Sequence, residues 1–286
     1  MKRVFKSIFI ILFIVSFFNS CKQPQQEQTI TGNGNVVSEK RYCADFLAVR
    51  VYDNFVVQIY KNDIYHIEIE AESNLIYHIK YDINKQGVMT LQVEENYILE
   101  PTTNFPITIK IFTPETPEII LNGSSIIYYN DINLEKCSLS LNNHSKAYFI
   151  NVNIAKANIT LSDQTSVESD GFVVDRLEMS SITSSKIRLR EVDINEATIV
   201  SRSAGDSYLT GKCNIGTFTV RSSGDIDTKE MLTSNCTITI ESSGSIYAHV
   251  LSTLKGVING SGNLYLKGDV NTDNVIIKNT GRVIPL

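Results

Sequence analysis

The chain has 286 residues, with 31 acidic and 26 basic side chains, a formal charge of −5, 42% hydrophobic residues and no tryptophan. Its basic residues form no cluster outside the first six positions, which argues against a nucleic-acid partner. Four of its five cysteines, Cys43, Cys137, Cys213 and Cys236, lie far apart with no C-x-x-C pair, which argues against a zinc site.

The first residues read as a processing signal rather than as fold. Lys2, Arg3 and Lys6 precede an apolar run from Ile8 to Phe18, too short for a bilayer span of about 20 residues. The run ends in "FFNSC", with small Ser20 before Cys21. This predicts a signal peptide over 1–20 and lipidation of Cys21, anchoring the protein to a membrane without a transmembrane helix. Loss of the three leading cations leaves about 265 residues with 23 basic against 31 acidic side chains, a charge of −8. Residues 21–29 comprise the lipidated cysteine and a polar, Gln-rich tether. An exported lipoprotein of the outer membrane follows, its periplasmic or cell-surface face undecided. Export permits two disulfides among the remaining cysteines, and scattered buried thiols are the alternative.

Residues 30–118 are β-rich without a fixed period. "AVRVYDNFVVQIY" (Ala48 to Tyr60), "YHIEIEAE" (Tyr65 to Glu72) and "ITIKIF" (Ile107 to Phe112) alternate apolar and polar residues. Asp82 to Glu95 reads as a hairpin turning near Gln86 and Gly87. These are the irregular first coils of the domain, or else a separate small β domain.

From residue 119 the chain repeats. Equivalent points fall at Ser125, Ser145, Thr165, Ser185, Gly205, Gly224, Gly244, Gly262 and Gly281, in steps of 18 to 20 residues. Columns six and four residues before these points and two after them are mainly apolar, as in Ile119, Leu121 and Ile127. The column two before is small or polar throughout. Such spacing predicts two short β segments per coil joined at a Ser/Gly corner, with glycine supplying the backbone freedom of the bend. Coils of this length stack as a solenoid: an all-β, right-handed parallel β-helix of about 20 residues per coil.

The order of these segments resembles the head-GIN-domain auto-transporter adhesin family, lipoproteins of Bacteroides-type bacteria. The resemblance rests on "ITGNGNVVSEKR" (Ile30 to Arg41), on Phe46, Val49, Val51 and Phe55, on "SNLIYHI" (Ser73 to Ile79), on Gly87 with Leu91, on "FPITIKI" before "ILNGSS" (Ile120 to Ser125), and on the repeated Ser-Gly corners. It covers residues 30–286 and implies the same β-helix. It brings no catalytic or binding residues.

No catalytic constellation stands out. Asp206 and Asp225 occupy one outward column and are the carboxylate pair to weigh for a polysaccharide hydrolase or lyase, against two solvated surface residues. His66, His78, His144 and His249 lack metal-ligand spacing and read as isolated surface or turn residues. No cofactor or metal is expected. One outward column carries Tyr128, Tyr148, Tyr208, Tyr247 and Tyr265, a candidate aromatic stripe for glycan or protein ligands; the alternative is strand-shielding residues that pair with one another. The reading is a non-catalytic cell-envelope adhesin or binding protein. A polysaccharide-active enzyme and a purely structural envelope protein are the alternatives. The terminal "GRVIPL" has no capping pattern, so homo-oligomer contacts through that end are a further expectation.

Overall fold

The computed structural model describes residues 27–102, 105–202 and 204–286, so the expected signal peptide over 1–20 and the expected lipidation site Cys21 lie outside the described residues. The chain forms a β-solenoid of about eight turns with roughly 20 residues per coil, and only 1% of it is helical.

Each regular coil has three straight sides, not two. A base strand such as Glu118–Leu121 reaches the Ser/Gly corner, and a front strand such as Ile126–Asn130 follows. A second bend at Asp131, Asn151, Gly171, Glu191, Gly211 and Gly268 leads into a short side segment, and all six take positive φ. The bend places two outward residues in a row, Ile150 and Asn151, but pairing to the next coil resumes directly after it, so the chain reads as one 16-residue strand over Lys146–Leu161 although it turns. Inward columns along the three sides are close to fully buried. Ile127, Tyr129, Val152, Ile154, Ala157, Ile159 and Leu161 all lie at 0–2% exposure. Within the interior, Tyr129 stacks on its register partner Phe149 at 4.9 Å, close to the strand spacing, and Phe149 meets Phe172 from the side segment of the next coil at 5.0 Å and a 36° tilt.

The Ser/Gly corner is made in two ways. Early coils place Gly123, Asn143 and Asp163 in the left-handed region, which Gly, Asn and Asp tolerate best. Their anchors Ser125, Ser145 and Thr165 point inward and are buried. Ser125 Oγ donates to the Asp53 carbonyl at 3.0 Å, and Ser145 Oγ to the Asn142 carbonyl at 2.9 Å. In later coils the anchor is glycine, but not for its backbone freedom: Gly205, Gly244, Gly262 and Gly281 do not take positive φ. A Cβ at Gly244 or Gly262 would instead collide with the carbonyl oxygen of Gly224 or Gly244 one coil earlier. The sequence expectation that these glycines supply a bend is therefore corrected. They are glycine because successive corners touch through the backbone.

Residues before the repeat join the same sheets. Ala48–Val51 pairs with Glu118–Leu121, and Val56–Lys61 with Ile126–Asn130, both in parallel. Beyond them the front sheet continues through Thr108–Thr113, then antiparallel through His66–Glu72 and Val36–Tyr42. On the base sheet, Ile79–Ile83 and Val88–Val93 form an antiparallel hairpin whose turn carries Gly87 at φ 72°. The "TGNGN" motif closes this end. Gly34 N–H (2.5 Å) and Thr102 N–H (3.0 Å) donate to the Glu72 carboxylate. Glu72 lies near the molecule's end with little protein mass around it, yet its contacts leave it 0% exposed. Burial alone would push its carboxyl up; the hydrogen bonds from Thr102 and Gly34 outweigh that and hold it below the usual carboxylate range.

Two stability tests follow from these contacts. Gly244→Ala should destabilise the fold in urea by at least about 3 kcal/mol, because a backbone carbonyl cannot move aside as a side chain can. Gly34→Ala, with positive φ but open space around the added methyl, should cost only about 1–2 kcal/mol. Glu72 has a folded-state pKa below its unfolded value, so its contribution is full above the ordinary 4.5 and lost as pH falls through the lowered value. Glu72→Gln should thus lower the urea midpoint at pH 7, and the gap to wild type should close as pH falls below 4.5 through the lowered value.

Candidate binding face

The front sheet runs the length of the molecule, and the strand registers bring one outward column into line along it. Lys40, Glu68, Lys110, Gln58, Tyr128, Tyr148, Glu168, Arg188, Tyr208, Asp227, Tyr247, Tyr265 and Ile284 follow one another. All five sequence-predicted tyrosines lie in it, but not as one stripe. Tyr128 stacks on Tyr148 at 5.0 Å and 14°, and Tyr247 on Tyr265 at 4.5 Å and 6°. Tyr208 stands between Arg188 and Asp227 and meets neither pair. Rings stacked along the solenoid axis give one face each to a neighbour. They present edges and hydroxyls to solvent, not flat aromatic faces.

Charged groups complete the second pair. Lys229 Nζ lies 5.6 Å from the Tyr247 ring centroid and 2.9 Å from Asp227 Oδ2. Burial pushes the Tyr247 hydroxyl up, helped by Asp225, Tyr265 and Asp227 and opposed by Lys229, so it stays a neutral donor. Burial, with Glu168 nearby, does the same for Tyr148.

A second group of rings escaped the sequence reading. Tyr42, His66, Phe112 and Tyr60 form one run across the N-terminal end of the front sheet, with centroids 5.9, 4.3 and 5.1 Å apart. His66 is 4% exposed and lies 2.9 Å through Nδ1 from the Ile64 carbonyl. His78 contacts Glu94 Oε2 at 3.0 Å and packs on Tyr97 at 4.3 Å. Neither is an isolated surface histidine; both are packing elements. The signal was present as aromatic residues at outward strand positions. Their adjacency was hidden because one of the four strands, His66–Glu72, runs antiparallel to the other three.

The carboxylate pair has a structural role. Asp225 N–H donates to Asp206 Oδ1 (3.3 Å) and Ser245 N–H to Asp225 Oδ1 (2.7 Å). Asn263 N–H then donates to Ser245 Oγ (3.2 Å) and Arg282 N–H to Asn263 Oδ1 (3.0 Å). The column is a ladder in which each side chain satisfies the backbone of the next coil. Among the described residues, no group of three or more His, Cys, Asp or Glu side chains is arranged to hold a metal ion. Cys43, Cys137, Cys213 and Cys236 are free thiols. Of the two sequence alternatives, the structure has scattered thiols and not disulfides.

A solenoid whose interior is filled and whose outer columns are in register is a repeat protein. The family profile described as "Putative auto-transporter adhesin, head GIN domain" matches residues 45–210 and again 157–270, and the chain belongs to this family. Overlapping matches are what a repeating sequence produces. A solved "putative adhesin" from Parabacteroides merdae aligns at a TM-score of 0.57 and 19% identity, over 90% of this chain and 99% of that one. A "putative lipid binding protein" from Parabacteroides distasonis aligns at 0.56 and 18%, over 91% and 100%. A further "putative adhesin", from Bacteroides fragilis, aligns at 0.53 and 13%, over 90% and 100%. At these identities the likeness is one of fold. No relative was found among curated proteins. No helix among the described residues is long and apolar enough to cross a membrane.

Burial pushes the Cys43 thiol up to about 11, with Asp45 nearby contributing, and burial raises Cys137, Cys213 and Cys236 to about 12. At pH 8 the native protein should therefore give no fast reaction at these four positions with a thiol-specific chromogenic disulfide. All four should react at once in guanidinium, and reductant should leave the melting temperature unchanged.

Proposed function

We propose that the protein is an exported, lipid-anchored, non-catalytic binding protein of the outer membrane, tethered through Cys21, whose front sheet engages a protein ligand. Membership of an adhesin family supports an envelope or surface role. The observation that carries the ligand class is the Tyr247–Tyr265 pair beside the Asp227–Lys229 ion pair. Rigid rings offering edges and hydroxyls next to fixed charges suit the side chains and backbone of a protein surface, where tyrosine contributes contact area at little entropic cost. A glycan is the second reading. It would need a free aromatic face, whereas each stacked ring gives one face to its partner and Lys229 lies over the Tyr247 ring. A lipid ligand would need an enclosed apolar cavity, but Tyr129, Phe149, Phe172 and Phe218 fill the interior. Asp206 and Asp225 are committed to the backbone ladder, which supports a non-catalytic reading.

The test has two stages. Protease shaving of intact cells carrying a C-terminal tag, beside a Cys21→Ala control, should remove the tag if the solenoid faces outward. The purified chain is then screened on arrays of extracellular-matrix proteins and of glycans. Protein binding that falls about tenfold or more in the Tyr247→Ala, Tyr265→Ala double variant, with an unchanged melting temperature, is the expected outcome. Glycan hits lost in the same variant would move the reading to saccharides. A tag protected until the outer membrane is opened would end the adhesin reading.

A further inference from the structure

The solenoid's side sheet begins abruptly. Its first strand segment, at the start of Asn133–Leu141, pairs with the next coil through Asn133–Asn153, Leu134–Ile154 and Lys136–Lys156. No strand among the described residues pairs with its other edge. In the coil before it, the front strand Val56–Lys61 leaves the solenoid path and returns antiparallel as His66–Glu72, so the side strand of that coil is missing. Residues 113–116 cross the gap without pairing to the edge and leave a groove of about 560 Å³, within the range of ligand clefts.

The groove's chemistry is that of an interrupted stack. Ile132 and Leu134 belong to the inward columns that continue as Val152 and Ile154, yet they are only partly buried while those two are sealed. They form its floor with Ile59, and Tyr60 stands at its rim. Asn153 N–H donates to the Ile132 carbonyl at 3.1 Å, so the alternation of backbone groups turns the N–H and C=O of Asn133 toward the groove. A free strand edge above uncovered alternate apolar side chains is what the next strand of a sheet requires.

We infer that this groove takes one extended peptide segment of a partner protein, with apolar residues at alternate positions, as an added strand of the side sheet. The backbone of the segment pairs with Asn133 and Glu135, and its inward side chains cover Ile132 and Leu134. The chain's own residues 22–26, "KQPQQ", lack the alternate apolar residues and do not fit that description. The site is separate from the tyrosine column and stands independently of the front-sheet reading.

The probe is the strand that already covers the opposite edge: a fluorescein-labelled peptide of residues 151–158, "NVNIAKAN", added to the full chain and followed by fluorescence polarisation. Saturable binding is expected, with a peptide of the same composition in scrambled order failing to bind. Leu134→Glu should weaken binding about tenfold or more by placing a charge on the floor. Asn133→Pro should do the same by removing an N–H that the native ladder does not use, a substitution edge strands tolerate. Hydrogen exchange on the wild-type chain should show peptide-dependent protection at 131–137, a readout that needs no variant to fold. The Tyr247→Ala, Tyr265→Ala variant should bind the peptide normally. Absence of saturable binding, binding unchanged by both groove substitutions, or protection confined to other strands such as Val283–Pro285 would overturn the proposal.

Discussion

Everything in this molecule follows from one repeat distance. Parallel strands held by backbone hydrogen bonds must sit about 4.8 Å apart, so every coil repeats its neighbour at that interval. A residue type that works at one corner works at the next, and a side chain that packs once can pack many times. The same distance is close to the centroid separation of two offset-stacked aromatic rings, which explains the stacks inside the solenoid at Tyr129 and Phe149 and outside it at Tyr247 and Tyr265. It is also short enough for Asp206 and Asp225 to satisfy the backbone of the following coil. Glycine at 244 and 262 meets the same constraint where two corners leave no room for a methyl.

This regularity shapes what the surface can present. Registry gives long straight columns, and columns favour self-association of like groups. Tyrosines that look like a continuous aromatic stripe in the sequence instead spend their faces on one another, with Arg188 and Asp227 dividing the groups. Where the pattern breaks, an unpaired strand edge and uncovered apolar side chains appear instead. Tyr60 illustrates this: it ends the run Tyr42–His66–Phe112–Tyr60 and borders the groove left by the missing side strand.

Much of the fold could be read from the spacing of Ser125 through Gly281, because each coil carries its own local signal of alternation and corner. The outward direction of the tyrosine column was readable for the same reason. The third side of the coil was not. The bend at Asn151 and Glu191 adds only one extra outward residue to the alternation, and at position 191 no Gly, Asn or Asp announces it in sequence. The glycine anchors were misread because a contact with the previous coil leaves the same residue type as a left-handed bend. The N-terminal third was opaque for a different reason. Pairing His66–Glu72 between Val36–Tyr42 and Thr108–Thr113 joins segments about 30 to 40 residues apart with no repeat to announce it. The packing of His66 and the role of Glu72 both depend on those distant partners.

The Glu72 clamp has a mechanical consequence. Strands lie across the solenoid axis and their hydrogen bonds lie along it, so the direction of a load decides how the fold yields. Tension drawn along Gln28–Thr31 would shear its four-residue ladder with Tyr97–Glu100, loading all its bonds together. Tension drawn along the axis would peel the same ladder one bond at a time. Glu72 ties Gly34 to Thr102, just beyond the C-terminal end of both strands of that ladder, so a pull entering at residue 28 meets a crosslink before it reaches the coils. Under the proposed N-terminal tether, with the flank engaged, that carboxylate sets where stretching would begin.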